Sequence, residues 1–116
     1  MAQYEELQID KGSDITIKLE LEDLNGNSKN LTNHTIAGKI KKTYNSSDSD
    51  ATIFTTEVMA PATGGVVNLS LTNTQTQALK AGRHVYDVEI SFTDSNAQTV
   101  VERVLEGNLT VTPSVT

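Results

Sequence analysis

Cysteine and tryptophan are both missing from this sequence. Without cysteine there is no disulfide framework, no thiolate nucleophile and no Cys zinc site, and the redox compartment is left open. Only three Tyr and two Phe are present, so the aromatic platforms on which sugars commonly stack are scarce. Positive charge is also short: nine Lys and Arg stand against fifteen Asp and Glu, a net charge of -6. That balance disfavours nonspecific attachment to nucleic acid or to an anionic membrane, and neither is expected as a partner. No apolar run is long enough to span a bilayer, and the opening MAQYEELQID lacks the apolar core of a signal peptide. The expectation is synthesis in the cytoplasm without export by a visible signal.

What is present reads as strands. Between Gly82 and the Asp94-Ser95-Asn96 turn, Tyr86, Val88, Ile90 and Phe92 alternate with Val85, Asp87, Glu89 and Ser91, the period-two pattern of a half-buried strand. Ile15, Ile17, Leu19 and Leu21 alternate as strictly with Thr16, Lys18, Glu20 and Glu22, after a Lys11-Gly12-Ser13 turn and before Asn25-Gly26-Asn27. Leu31 is the one residue of the polar stretch that follows expected to reach the core. His34 to Tyr44 is a third strand, with Ile36, Gly38 and Ile40 facing opposite to Lys39 and Lys41, and Gly38 marks a bulge or a close approach of another backbone.

Thr52 to Met59 reads as one strand forming a hairpin with Val67, Leu69 and Leu71 across Gly64-Gly65. Asn73 to Ala81 is the one place where helix competes, capped by Thr72 or Asn73 and ended by Gly82. Gln98 to Thr112 is a last long strand with Arg103, Leu105, Gly107, Leu109 and Val111 on one face. Apolar residues on both faces near Val100 to Leu105 predict double coverage or a bulge there. Tyr4 to Ile9 settles into no single period and is an edge-strand candidate.

Residues 1–116 are therefore expected to form a single all-β domain, an immunoglobulin-like antiparallel β-sandwich with at most one short helix and an extended tail at 113–116. A small closed barrel is the competitor. The expected core comprises Ile15, Ile17, Leu19, Leu21, Leu69, Leu71, Tyr86, Val88, Ile90 and Phe92.

Chemistry is sparse. His34 and His84, the two histidines, fall in separate strands without the acidic neighbours of a zinc helix, and read as surface or half-buried residues. Asp48 and Asp50, with Ser47 and Ser49, alternate oxygen ligands but lack the Gly and closing Glu of a calcium loop, so a solvated loop is the reading. Asp87 reads as a buried, hydrogen-bonded strand acid. No G-x-S-x-G motif and no metal motif occurs, so no catalytic residue, metal site or cofactor is assigned and the chain is not expected to be an enzyme. Lys39, Lys41 and Lys42 form the basic cluster, read as edge-protecting charges that could also meet a phosphate or an acidic neighbour. Together with Asp48, Asp50, Pro113 and Val115, these lysines are the candidate partner contacts.

Three stretches, KGSDITIKLELEDLNGNSKNLTNHTIAGKIKK, VVNLSLTNTQTQALKAGRHVYDVEI and VERVLEGNLTVTPSVT, follow one another in an order that resembles small domains of tailed-bacteriophage structural proteins. The nearest resemblance is to the amino-terminal domain of baseplate upper-protein type, over nearly the whole chain. Leu71, Thr72, Thr76, Leu79, Gly82, Tyr86, Asp87 and Val88 match its middle motif, and Gly107, Val111, Pro113, Val115 and Thr116 its last. Asn33 replaces the Gly of its early turn, and His84 and Val85 stand where its first Tyr often falls. The resemblance implies a virion structural or adaptor protein of tail, baseplate, neck or capsid, present in multiple copies of a symmetric assembly and docked on other virion proteins. A carbohydrate-binding or host-adhesion module is the alternative.

Overall fold

The computed structural model describes residues 3–115, without the side chain of Asp48; Thr116, matched in the last motif, lies outside the described residues. In chain order the elements are β1 (Gln3–Tyr4), β2 (Leu7–Asp10), β3 (Ile15–Glu20), β4 (Thr35–Lys41), β5 (Thr52–Ile53), β6 (Thr55–Val58), β7 (Val66–Leu71), α1 (Asn73–Ala78), β8 (Gly82–Thr93) and β9 (Thr99–Thr112). Two sheets face each other. The larger runs β1-β9-β8-β4-β5, with β2 also on β9, and the smaller runs β3-β7-β6. No helix is long and apolar enough to cross a membrane among the described residues.

Alternation places the core between the sheets. Val67, Leu69 and Leu71 of β7 meet Tyr86, Val88 and Ile90 of β8, Leu105, Leu109 and Val111 of β9, and Ile36 and Ile40 of β4, all buried. Leu31 closes one end at 2% exposure. The expected core holds for Leu69, Leu71, Tyr86, Val88 and Ile90. Ile15, Ile17 and Leu19, with Leu21 just beyond, are half-buried instead, because β3 pairs with β7 alone and forms the margin of the smaller sheet. Phe92 is 37% exposed. The β4 ladder on β8 ends at Thr35 opposite Ser91, so Phe92 lies past its neighbour's last residue and stacks on His34 at 4.9 Å.

Four further expectations change. The larger sheet is not wholly antiparallel: β1 and β2 run parallel to β9, Gln3 opposite Leu105 and Leu7 opposite Leu109. The segment Thr52 to Met59 is two strands in different sheets, because Phe54 turns inward to 3% exposure between β5 and β6. Its N–H donates to the Gly38 carbonyl at 2.9 Å, and a Cβ at Gly38 would stand 3.0 Å from its ring. The close approach expected at Gly38 is thus real, made by a side chain. The helix is as short as expected and carries a full capping box between Thr72 and Gln75, but it ends at Ala78, and Gly82 opens β8. In β9 the expected bulge is found: Val88 pairs with Leu105 and Glu89 with Arg103, leaving Val104 extra. One extra residue reverses the face of everything before it, so Arg103, expected inward with Leu105, points to solvent and is spared the cost of burying a guanidinium.

Two turns share one construction. Asp23 and Asp94 each accept two backbone N–H groups on Oδ1, from Asn25 and Asn27 at 2.9 and 3.0 Å and from Asn96 and Gln98 at 2.9 and 3.0 Å. Each also donates its own N–H to the carbonyl four residues on, Asn27 at 2.8 Å and Gln98 at 2.9 Å. The fourth residue of each turn has positive φ, Gly26 at 82° and Ala97 at 60°. A side chain at such φ costs about 1–2 kcal/mol. Ala97→Gly should therefore raise stability by about 1 kcal/mol, less what glycine costs in chain entropy; a fall in the denaturation midpoint would refute the left-handed conformation at this position.

The Tyr86 hydroxyl donates to the Glu5 carbonyl at 2.8 Å. Burial, then the charge of Glu5, pushes its pKa up to about 12. An unfolded Tyr ionises near 10, so above that pH the unfolded chain releases a proton the folded chain retains. Stability contributed by Tyr86 should be intact below about pH 10 and fall as pH rises from about 10 to 12. Tyr86→Phe should lose about 1 kcal/mol at neutral pH and show a shallower alkaline decline than the wild type in denaturant titrations at several pH values.

Candidate protein-docking face

The outer surface of the larger sheet collects most of the charge that the alternation turns away from the core. Register fixes a row across the whole sheet: Tyr4 on β1 lies opposite Glu106 on β9, Glu106 opposite Asp87 on β8, Asp87 opposite Lys39 on β4, and Lys39 opposite Ile53 on β5. The row on one side carries Arg103, Glu89 and Ala37, and the row on the other Asn108, Val85 and Lys41. Between Lys39, Lys41, Tyr44, Asp87, Glu89 and Arg103 the surface sinks into an open depression of about 310 Å³.

Arg103 organises the acidic side. Its Nε is 3.3 Å from Asp87 Oδ2, and its two terminal nitrogens reach Glu106 Oε2 at 3.3 Å and Glu89 Oε2 at 3.9 Å. Asp87 and Glu106 are directly opposite across the β8–β9 ladder, a like-charge pair that is unfavourable unless a cation lies between them. The bulge at Val104 supplies that cation. The hydrogen bond to Glu106 and the charge of Asp87 in turn raise the guanidinium pKa above its ordinary value. Beside this group the Asn108 amide donates to the Tyr4 hydroxyl at 2.8 Å, tying β1 to β9 on the same face.

The structure separates the residues the sequence grouped. Lys39 and Lys41 share the outer face, half-buried, but β4 is an inner strand, flanked by β8 and β5. Thr56 and Phe54 cover its Ile36 and Gly38 carbonyls, so these lysines are not protecting an edge. Lys42 lies past the end of β4 and donates to the Arg83 carbonyl at 2.9 Å. Asp48 and Asp50 bound a single 3₁₀ turn in the loop after β4, with Asp50 exposed. Pro113 and Val115 follow β9 and are exposed, beyond the six residues and about 20 Å of strand that separate Thr112 from the Glu106 row. Asp87 is not buried: its side chain is 37% exposed and ion-paired. His84 is buried at 4% exposure, with Nε2 2.7 Å from the Lys80 carbonyl, because it falls on the inward parity of β8. Half-buried His34 has Nδ1 3.0 Å from the Thr32 carbonyl.

Arg103, Glu89, Glu106 and Tyr4 were not among the expected contacts. Strict alternation placed Arg103 inside, and only a bulge assigned to Val104 would have brought it out. Among the described residues no group of three or more His, Asp or Glu is placed to hold a metal ion. Arg103→Ala should cost less than about 1 kcal/mol at ordinary salt, as exposed ion pairs do. The difference from the wild type should shrink further in high salt, and a loss several times larger would show that the guanidinium holds the bulge itself in place.

No model of a known protein family matches the chain, and no curated protein matches its sequence. Among solved structures it matches AggA, the major subunit of aggregative adherence fimbriae type I from Escherichia coli, at 12% identity over 92% of this chain and 89% of that one, with a TM-score of 0.39. Its backbone follows murine CRIg with a TM-score of 0.51 and 13% identity, over 91% of each chain. With the two layers and strand pairing described above, the fold is an immunoglobulin-like β-sandwich with one short helix.

Proposed function

We propose that the chain is a non-enzymatic structural or adaptor module of a tailed-phage particle, held by docking on neighbouring virion proteins. The observation that carries the docking part is the outer face of the larger sheet. It spans five strands, and its carboxylates Asp87, Glu89 and Glu106 are joined by Arg103. A broad strand-built surface that carries side chains of both charges offers the electrostatic complementarity by which protein partners select one another. The phage assignment rests on the order of the three sequence motifs. The exposed tail through Pro113 and Val115 is a second contact, able to lie along a neighbour's sheet edge and, lacking an N–H at Pro113, to pair there on one side only.

Tyr44, 77% exposed beside the depression, is the feature that favours the carbohydrate-binding alternative, and a glycan array tests it directly. The docking reading is tested by quantitative mass spectrometry of purified particles. The chain should be recovered at a fixed ratio to the other virion proteins, and a version ending at Thr112 should be recovered at a lower ratio. Recovery of the intact chain only from the soluble fraction would refute the reading.

A further inference from the structure

The outer face of the larger sheet is divided by charge along a line parallel to its strands. On one side β4 carries Lys39 and Lys41; on the other β8 and β9 carry Asp87, Glu89 and Glu106 around Arg103. Near the line the exposed surface is small or aliphatic, Ala37 and Val85, and at the margins lie Tyr4 and Ile53, 57% and 58% exposed. A surface acidic on one half and basic on the other is complementary to itself under a two-fold rotation. If the axis runs along the strands between β4 and β8, Lys39 of each copy comes over Asp87 of the other, and Lys41 over Val85 beside it. Ile53 comes over the Glu106 strand near Tyr4 in the same operation. An axis perpendicular to the strands would stack like on like, so the charge pattern selects the first arrangement.

We infer that this face pairs with the same face of a second copy of the chain, forming a two-fold dimer in which β4 lies across β8. The inference rests on the reading of the chain as a docking module and identifies one of its partners as itself. In an isologous contact each favourable pair occurs twice, so Lys39 with Asp87 contributes from both sides of the axis. Lys39 and Lys41 already have interactions within their own chain; the second copy extends an existing network rather than neutralising bare charge. With the axis between β4 and β8, four strands about 4.8 Å apart overlap, and with three rows of outward side chains they make a contact of about 400 Å² per copy. That is at the low end for specific complexes, so the isolated dimer is weak, and it strengthens where further contacts in an assembly hold two copies close.

Sedimentation equilibrium of the full chain over a wide concentration range tests the pairing. The wild type should dimerise reversibly and more weakly in high salt. Lys39→Glu with Lys41→Glu should weaken the dimer by about tenfold or more, since like charges then face each other. Asp87→Lys with Glu89→Lys should do the same, and mixing the two double variants should restore a dimer of one of each. Because new lysines beside Arg103 strain the acidic cluster, Val85→Arg provides a variant that removes no charged side chain of the face and should also dissociate the dimer. Circular dichroism confirms that each variant is folded. A wild type that stays monomeric throughout overturns the inference, as does a dimer that none of these variants weakens. A monomeric chain that still enters particles would overturn the pairing while leaving the docking reading standing.

Discussion

The larger sheet depends on one close approach. The Glu5 carbonyl lies against Gly107 so tightly that a Cβ there would stand 1.9 Å from its oxygen. The same carbonyl accepts the Tyr86 hydroxyl, and the Glu5 N–H donates to the Glu106 carbonyl at 2.9 Å. This is where the amino-terminal segment passes from β1 to β2 while staying on β9, and it is possible only because residue 107 has no side chain. Tyr86 fills the space beneath from the neighbouring strand. Anchored so, β2 brings Ile9 into the core at 4% exposure and its parallel ladder continues to Asp10 opposite Thr112.

The second constraint is the extra residue at Val104. Before it β9 faces as β8 requires for a solvent-exposed ribbon, and after it Leu105, Leu109 and Val111 enter the core. Fold and site meet in this one irregularity. The same shift that keeps a guanidinium out of the apolar layer sets it among three carboxylates that β8 and β9 would otherwise hold together without a counter-charge.

Much of this was legible in the residues. Alternation at Val67 to Leu71 and Tyr86 to Ile90 located the two strands that form the centre of the sandwich, and Thr72 with the following polar residues located the helix start. Alternation fails where a strand changes its surroundings, for periodicity reports parity and not depth. Phe92 has the parity of Ile90 but only β9 beside it, the β4 ladder having ended at Ser91, and Phe54 breaks an apparently continuous strand by turning into the other sheet. Parallel pairing of the amino-terminal segment was hidden for a related reason, since direction in a sheet is set by partners far along the chain. The docking face was half visible: Lys39 and Lys41 could be placed on outward positions, while Asp87 was expected to be buried, Arg103 was lost to the bulge and Tyr4 to its distant partner.

The parallel pairing of β2 with β9 also determines how the domain bears a pull. The amino-terminal segment enters at one end of this ladder and the chain leaves β9 at the other, so tension between the two drives the paired strands past each other along their length. All the hydrogen bonds from Leu7–Leu109 to Asp10–Thr112 are then loaded together, as in a lap joint. They do not open one at a time, as the teeth of a zipper would. Rupture must break the set at once and drag Glu5 from its seat on Gly107, which makes this margin of the sandwich the stiff direction of the domain.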